Sequence, residues 1–252
     1  MKLGKLPARI NSVYMKLGAY LDMPAVLPMI PDEFGHENLI ADFGMLANDQ
    51  VGDCVWAGAA HETMLWCREA GSDATFSAGS VLSDYTAATG YDPDDPSTDQ
   101  GTDMQAAASY RRRIGVLDAT GRRHKVGAYV ALTVGDPDQL AAAAYIFGAV
   151  GVGLRFPDYA MDEFTAGKPW ALRHGIQKIA GGHYVAVTGR GKNGNFRVIT
   201  WGKVQEMTPG FYRRYCDEAL VYFSSEFLTA GVSPEGFNLA QLRTDLRAFT
   251  RR

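Results

Sequence analysis

Apolar residues first recur at helical spacing at Trp56, Ala60, Met64 and Cys67, in steps of four, four and three, and so predict a helix over 54–70 with one buried stripe. A second helix is expected over 77–89, stopped by Gly90, and a third over 104–113. A fourth, over 137–147, opens with Asp136 as N-cap and Pro137 at the first helical position. The stretch 91–103 (YDPDDPSTDQGTD) holds two prolines and five aspartates and reads as a surface loop. Its spacing is not that of a calcium loop, so the acidic residues are read as solvated. Beyond residue 148 the pattern changes, with short apolar runs at 149–156, 184–188 and 196–201. The last two flank RGKNGN, which contains Asn193-Gly194, and together read as a β-hairpin. Helices therefore dominate before about residue 148 and strands after it. The fold class expected is α+β, with two unlike halves and a cleft between them as the natural place for chemistry.

Both ends stand apart from this body. Pro7, Pro24, Pro28 and Pro31 break up residues 1–40, which read as an arm lying over the domain. Residues 231–252 form a C-terminal tail, in which 238–252 (NLAQLRTDLRAFTRR) reads as an amphipathic helix with a basic end. The body between them spans 41–230, its left half about 41–148 and its right half about 149–230.

The chain has 252 residues, 46% hydrophobic and 21% charged, enough to bury a sizeable core and unlike a disordered tail. A net charge of −3 and a pI near 6.0 argue against nucleic acid as a partner. No apolar run approaches the roughly 20 residues of a membrane span, so no membrane partner is expected. Met1 to Arg9 carries Lys2, Lys5 and Arg9 with no apolar stretch behind them, which reads as no signal peptide. Three cysteines cannot all pair and suggest reduced thiols.

One of those thiols has a special position. Cys54 opens the first helix directly after Gly52-Asp53, where the positive end of the helix dipole favours thiolate. The structural alternative is a plain cysteine at a helix end. Cys67, inside the apolar stripe, reads as an inert buried thiol, and Cys216 as a helical core thiol beside aromatic neighbours. A nucleophilic thiol needs a histidine within reach. His61 lies seven residues along the same helix, roughly 10 Å up the axis at 1.5 Å per residue, too far for a tight pair. His124 sits in an Arg-Arg-His-Lys run and reads as a solvated surface residue. Arg111 to Arg113 likewise read as a solvated helix end. His36 and His174 lie in loop-like stretches without special context. His183 follows Gly181-Gly182 and opens the first strand of the hairpin, well placed to face an incoming helix end.

The residues around Cys54 and His183 resemble those of papain-like cysteine peptidases. NDQVGDCVWAGAAHETMLW (48–66) resembles their helix-start motif, and GGHYVAVTGRGKNGNFRVITWG (181–202) their histidine strand, hairpin and Trp-Gly segment. TDQGTDMQAAASYRRRIGV (98–116) is similar to their glycine loop and following helix, and PDQLAAAAYIFGAVGVGL (137–154) to the helix and strand preceding the histidine. All four occur in the family's order, nearest to its compact bacterial and phage members. The resemblance implies a helical left half carrying the thiol and an antiparallel, β-barrel-like right half carrying the histidine, with the active-site cleft between them. It implies Cys54 as nucleophile, His183 as general base and Asn48 as oxyanion donor, six residues before the thiol where the family has glutamine. Gln50 is the alternative if that loop is shifted by two. Gly101, Gly182 and Trp201 fall at substrate-binding positions, Trp56 is assigned to packing, and neither metal nor cofactor is implied.

The sequence departs from the family at the third triad position. The family's asparagine falls on Ile199, which cannot orient an imidazole. If Arg190 pairs with Asn195, His183 shares its face with Val198 and Thr200; a one-residue slip puts Ile199 and Trp201 there instead. Thr200 is therefore the candidate orienter, with a bare Cys-His dyad or a silent site as alternatives. Two functions follow: a thiol hydrolase cleaving peptide or isopeptide bonds of a peptide or protein substrate, or a papain-fold structural or binding component, for instance of a phage particle contacting virion or host proteins. The expected setting is cytoplasm or virion.

Overall fold

A computed structural model of the chain describes residues 1–9 and 29–226. The helix expected over 238–252 and the middle of the arm lie outside the described residues. The first helix, α1 (Cys54–Glu69), is buried on nearly every side and is the axis of the left half. Helix α2 (Ala78–Thr89) packs beside it. Its Ser77 and Ser80 form a reciprocal N-terminal box, and Gly90 closes it at φ 79°, a left-handed conformation that a Cβ would strain. Helix α3 (Met104–Arg113) starts at Asp103, whose side chain accepts from the Ala106 N–H. Helix α4 (Pro137–Phe147) opens on the Asp136 cap, with Oδ1 accepting from Asp138 and Gln139.

The strands are β1 (Phe34–Gly35), β2 (Val116–Leu117), β3 (Arg123–His124), β4 (Val126–Ala131), β5 (Val150–Pro157), β6 (Ile179–Arg190), β7 (Phe196–Thr200), β8 (Lys203–Met207) and β9 (Cys216–Ser224). Helices α5 (Tyr159–Thr165) and α6 (Pro209–Tyr215) lie among them. Strand order in the main sheet is β4-β9-β5-β6-β7-β8, with β1 added on β6 and every pairing antiparallel. No pairing closes this sheet into a barrel among the described residues.

The sheet is buried on both faces. Val150, Val152, Leu154 and Phe156 of β5 alternate onto the face covered by α4, α5 and α6. Gly151 and Gly153 alternate onto the other face, where incoming side chains leave no room for a Cβ. On that face Tyr184, Ala186, Ile199, Leu220 and Tyr222 meet α1 and α3.

Several expectations are corrected. β4 belongs to the main sheet although it precedes residue 148, and Cys216 opens a strand instead of sitting in a helix. Arg111 is buried, paired with the equally buried Glu62 at 2.7 Å and set 3.9 Å from the Tyr222 ring centroid. His124 is buried too, between Asp118 at 3.1 Å and Glu226 at 2.8 Å. His36 has a partner in Glu69 at 2.7 Å. In each case a basic side chain is met by a carboxylate from elsewhere in the chain, which local sequence does not display.

Candidate active site

Cys54 lies at the N-terminus of α1, buried against β6. Its thiol meets the backbone of Tyr184, the residue after His183, and the backbone of Gly4 from the arm. Tyr184 points its ring against Gly58 of α1, where a Cβ would come within 2.4 Å, so α1 and β6 are pressed together. The helix dipole does not prevail here. Burial pushes the Cys54 thiol up to about 12, and neighbouring Asp53, itself buried and pushed well above the usual carboxylate range by desolvation, adds nothing cationic.

His183 is fully buried on the opposite face of β6 from Tyr184. Its Nε2 lies 2.7 Å from Thr200 Oγ1, and its Nδ1 is buried with no hydrogen-bond partner among the described residues. The Trp201 ring stacks on the imidazole with centroids 4.2 Å apart and planes 16° from parallel, while Phe156 meets it edge-on. Burial holds the imidazole down to about 3. Thiol and imidazole are thus both neutral in this state.

The hairpin register behind the Thr200 contact is mixed. At the turn Arg190 pairs with Phe196, but a bulge between Val187 and Gly189 shifts the ladder so that Val187 pairs with Val198 and Ala186 with Ile199. Past the bulge, His183 shares its face with Val198 and Thr200. Ile199 points the other way, into the α1 side of the core. Trp201 and Gly202 form the two-residue turn into β8 at φ 46° and φ 70°. A tryptophan in the left-handed region costs on the order of 1–2 kcal/mol. The aromatic contacts that hold it, with Phe164, Phe156 and Trp170 besides His183, place its ring as a lid on the imidazole.

The expected oxyanion donors are placed differently. Asn48 is buried, and its Nδ2 donates to Val51 O at 3.1 Å. Gln50 is exposed.

The arm fills the cleft between the halves. Lys2 N–H donates to Asn48 O, Gly4 and Lys5 N–H to Gly182 O, Leu6 N–H to Thr102 O, and Thr102 N–H to Gly4 O, at 2.7–3.1 Å. Gly101 and Gly182 are the two walls that admit this strand. A Cβ on Gly101 would stand 2.3 Å from Gly4 O, and one on Gly182 2.1 Å from Lys5 O. Lys5 sinks into the cleft floor, with Nζ 2.7 Å from Asp217 Oδ1 and its side chain fully buried. Sequence reasoning missed Gly4, Lys5, Thr102, Asp217 and Glu218. An extended strand held by its backbone leaves no periodic side-chain signal.

A second cysteine–histidine contact lies outside the cleft. Cys67 Sγ is 3.6 Å from His124 Nδ1, and with Glu226 their ligand atoms fall within 4.8 Å, a grouping that could hold a metal ion. Cys67 sits near the C-terminal end of α1, where the dipole disfavours thiolate, and burial pushes its thiol up to about 12.

No protein-family model matches the chain, and no curated protein does. Solved structures do. Xylellain, a cysteine protease from Xylella fastidiosa, superposes with a TM-score of 0.64 at 12% identity over 88% of this chain and 95% of its own. Procathepsin B S9 from Trypanosoma congolense gives 0.60 at 15% identity over 89% and 87%. The Carica candamarcensis cysteine protease CMS1MS2, in complex with E-64, gives 0.56 at 12% identity over 77% and 99%. The chain has the fold of the papain-like cysteine peptidases.

Proposed function

We propose that this chain is a thiol hydrolase acting on peptide or isopeptide bonds, with Cys54 as nucleophile and His183 as general base. The observation that carries the reading is the state of the imidazole. One nitrogen is anchored on Thr200 and the other is uncommitted, beside the residue whose backbone meets the Cys54 thiol. An Nε2–H donated to Thr200 Oγ1 leaves Nδ1 as the basic nitrogen, and in this reading Nδ1 is the atom that takes the thiol proton. The thiolate then attacks the carbonyl carbon, and the imidazolium returns the proton to the leaving amine. Water, deprotonated by the same imidazole, releases the acyl group and restores the thiol. The Cys54 backbone N–H supplies one donor to the developing oxyanion. Asn48 supplies the second only if its amide leaves Val51, so opening the cleft and turning that side chain belong to one event. The test is turnover of a fluorogenic peptide by the unaltered chain against Cys54→Ala and His183→Ala. Loss in both supports the reading, and equal turnover in all three removes it.

A second reading has an observation of its own. The arm fills the cleft and the thiol beneath it is neutral, as suits a papain-fold protein kept for binding or assembly, for instance in a phage particle. Cys54→Ala separates the two: an assembly component keeps every property with alanine there.

A further inference from the structure

The Lys5 side chain is fully buried between β5 and β9. Its stem crosses β5 at Gly153, where a Cβ would stand 2.1 Å from Lys5 Cε and 2.8 Å from Met104 Sδ. Any other residue at 153 would shorten the pocket, so glycine there sets a depth that fits a long unbranched side chain. At the far end Asp217 takes the ammonium at 2.7 Å. Glu218 stands next to it at the start of β9, buried, with Oε1 3.1 Å from Gln105 Nε2. Burial raises Glu218 to about 7 even against the downward pull of Lys5, so the second carboxyl also feels the cation. The walls come from both halves, Met104 from the helical one and Gly153, Asp217 and Glu218 from the sheet. Asp217 keeps only 16% of its side chain exposed with Lys5 seated, so an apolar occupant would leave a half-buried carboxylate without its cation. The strand that carries Lys5 is hydrogen-bonded on both edges, to Thr102 and to Gly182, as an extended peptide in the cleft would be.

We propose that the pocket holding Lys5 is a substrate subsite, and that it takes the lysine or arginine side chain of a peptide, with Asp217 and Glu218 reading its charge and Gly153 its length. The arm is then an internal stand-in for that peptide. This rests on the hydrolase reading above, and the experiment separates the two.

The first measurement is alkylation of Cys54 by iodoacetamide in full chains carrying Lys5→Arg, Lys5→Leu or Lys5→Glu. Arginine should protect within threefold of lysine, leucine should label at least tenfold faster, and glutamate faster still. Equal protection by lysine and leucine overturns the proposal. The second uses the full chain with Gly4→Ala, a substitution the arm cannot accommodate in place, offered fluorogenic peptides with Lys, Arg, Leu or Glu at each position in turn. At one position Lys and Arg should raise kcat/KM at least tenfold over Leu, and Asp217→Asn should cut that ratio below threefold. A preference for Leu, or a ratio unmoved by Asp217→Asn, overturns the proposal and leaves the hydrolase standing. If no peptide is cleaved, the hydrolase reading fails. The subsite is then decided by whether a nonapeptide of residues 1–9 protects Cys54 of the Gly4→Ala chain at tenfold lower concentration than the same nonapeptide carrying Lys5→Leu. Equal protection overturns it.

Discussion

Gly4→Ala tests whether the arm guards the thiol, because the substitution touches only the arm. A Cβ on Gly4 would stand 1.7 Å from Gly52 O and 2.2 Å from its carbonyl carbon. Gly52 cannot yield, since its N–H is held by both carboxylate oxygens of Asp99 at 3.0 and 3.1 Å at the entrance to α1. The arm must move instead, and moving it forfeits the five backbone hydrogen bonds along residues 2–6. At about 0.5–1.5 kcal/mol each, these favour the closed arm by about 10²- to 10⁵-fold. Opening also returns water to a thiol that burial had pushed up to about 12. At pH 8 that thiol is thiolate to about one part in 10⁴, against roughly a quarter for one at its ordinary value near 8.5. Iodoacetamide labelling of Cys54, followed by peptide mass spectrometry, should therefore rise at least hundredfold in Gly4→Ala. Cys67 and Cys216, both pushed up to about 12 by burial elsewhere, should remain slow. Unchanged labelling of Cys54 would refute the guarding role. A joint rise of all three would refute it as well, since that reports general loosening.

Other substitutions probe the remaining parts. In the Gly4→Ala chain, Thr200→Val removes the side-chain hydrogen bond to the His183 imidazole, and at about 0.5–1.5 kcal/mol turnover should fall three- to tenfold, whereas His183→Ala removes nearly all of it. Ile199→Asn should lower Tm without raising the rate, because Ile199 faces the α1 core away from the imidazole and an asparagine there is buried without partners. The His183 imidazole, held near 3 by burial, should show no titration by NMR between pH 8 and 4.5 in the unaltered chain, since burial disfavours the charged form and protonation comes only below that window. A midpoint near 6.5 there would contradict the burial argument. Arg111→Met leaves Glu62 buried without its cation and should cost about 3–5 kcal/mol, read as a fall in thermal midpoint.

What the sequence made legible were features written in neighbouring residues. The stripe from Trp56 to Cys67, the Asp136-Pro137 start, the Gly90 stop and the Asn193-Gly194 turn each state their element locally. The strand at 216–224 was not legible, because α6 ends at Tyr215 with no breaker before Cys216 and FYRRYCDEAL carries no change of period. β4, with Gly127 inside it, gives too short an alternation to declare itself. At the site, position on a helix start picked out Cys54 and two glycines picked out His183. The neutral state of both was not foreseeable, because it comes from burial under residues brought in from other elements, Gly4 and Tyr184 at the thiol and Phe156 and Trp201 at the imidazole.

That burial gives the arm a second effect beyond obstruction. A thiol and an imidazole exchange a proton readily only when their affinities for it are close, and desolvation drives them apart, the thiol up to about 12 and the imidazole down to about 3. Both shifts have the same cause and the same sign in energy: each opposes charge in a dry cleft. Water or a polar peptide backbone in place of the arm's covering relaxes the thiol, while the imidazole keeps its cover of Trp201 and Phe156, and the helix dipole, outweighed in the closed state, then favours the thiolate. Closure therefore opposes ionisation of the Cys54 thiol as well as covering it. A chain whose arm lifts for an instant gains access and ionisation together, and one whose arm stays down has neither.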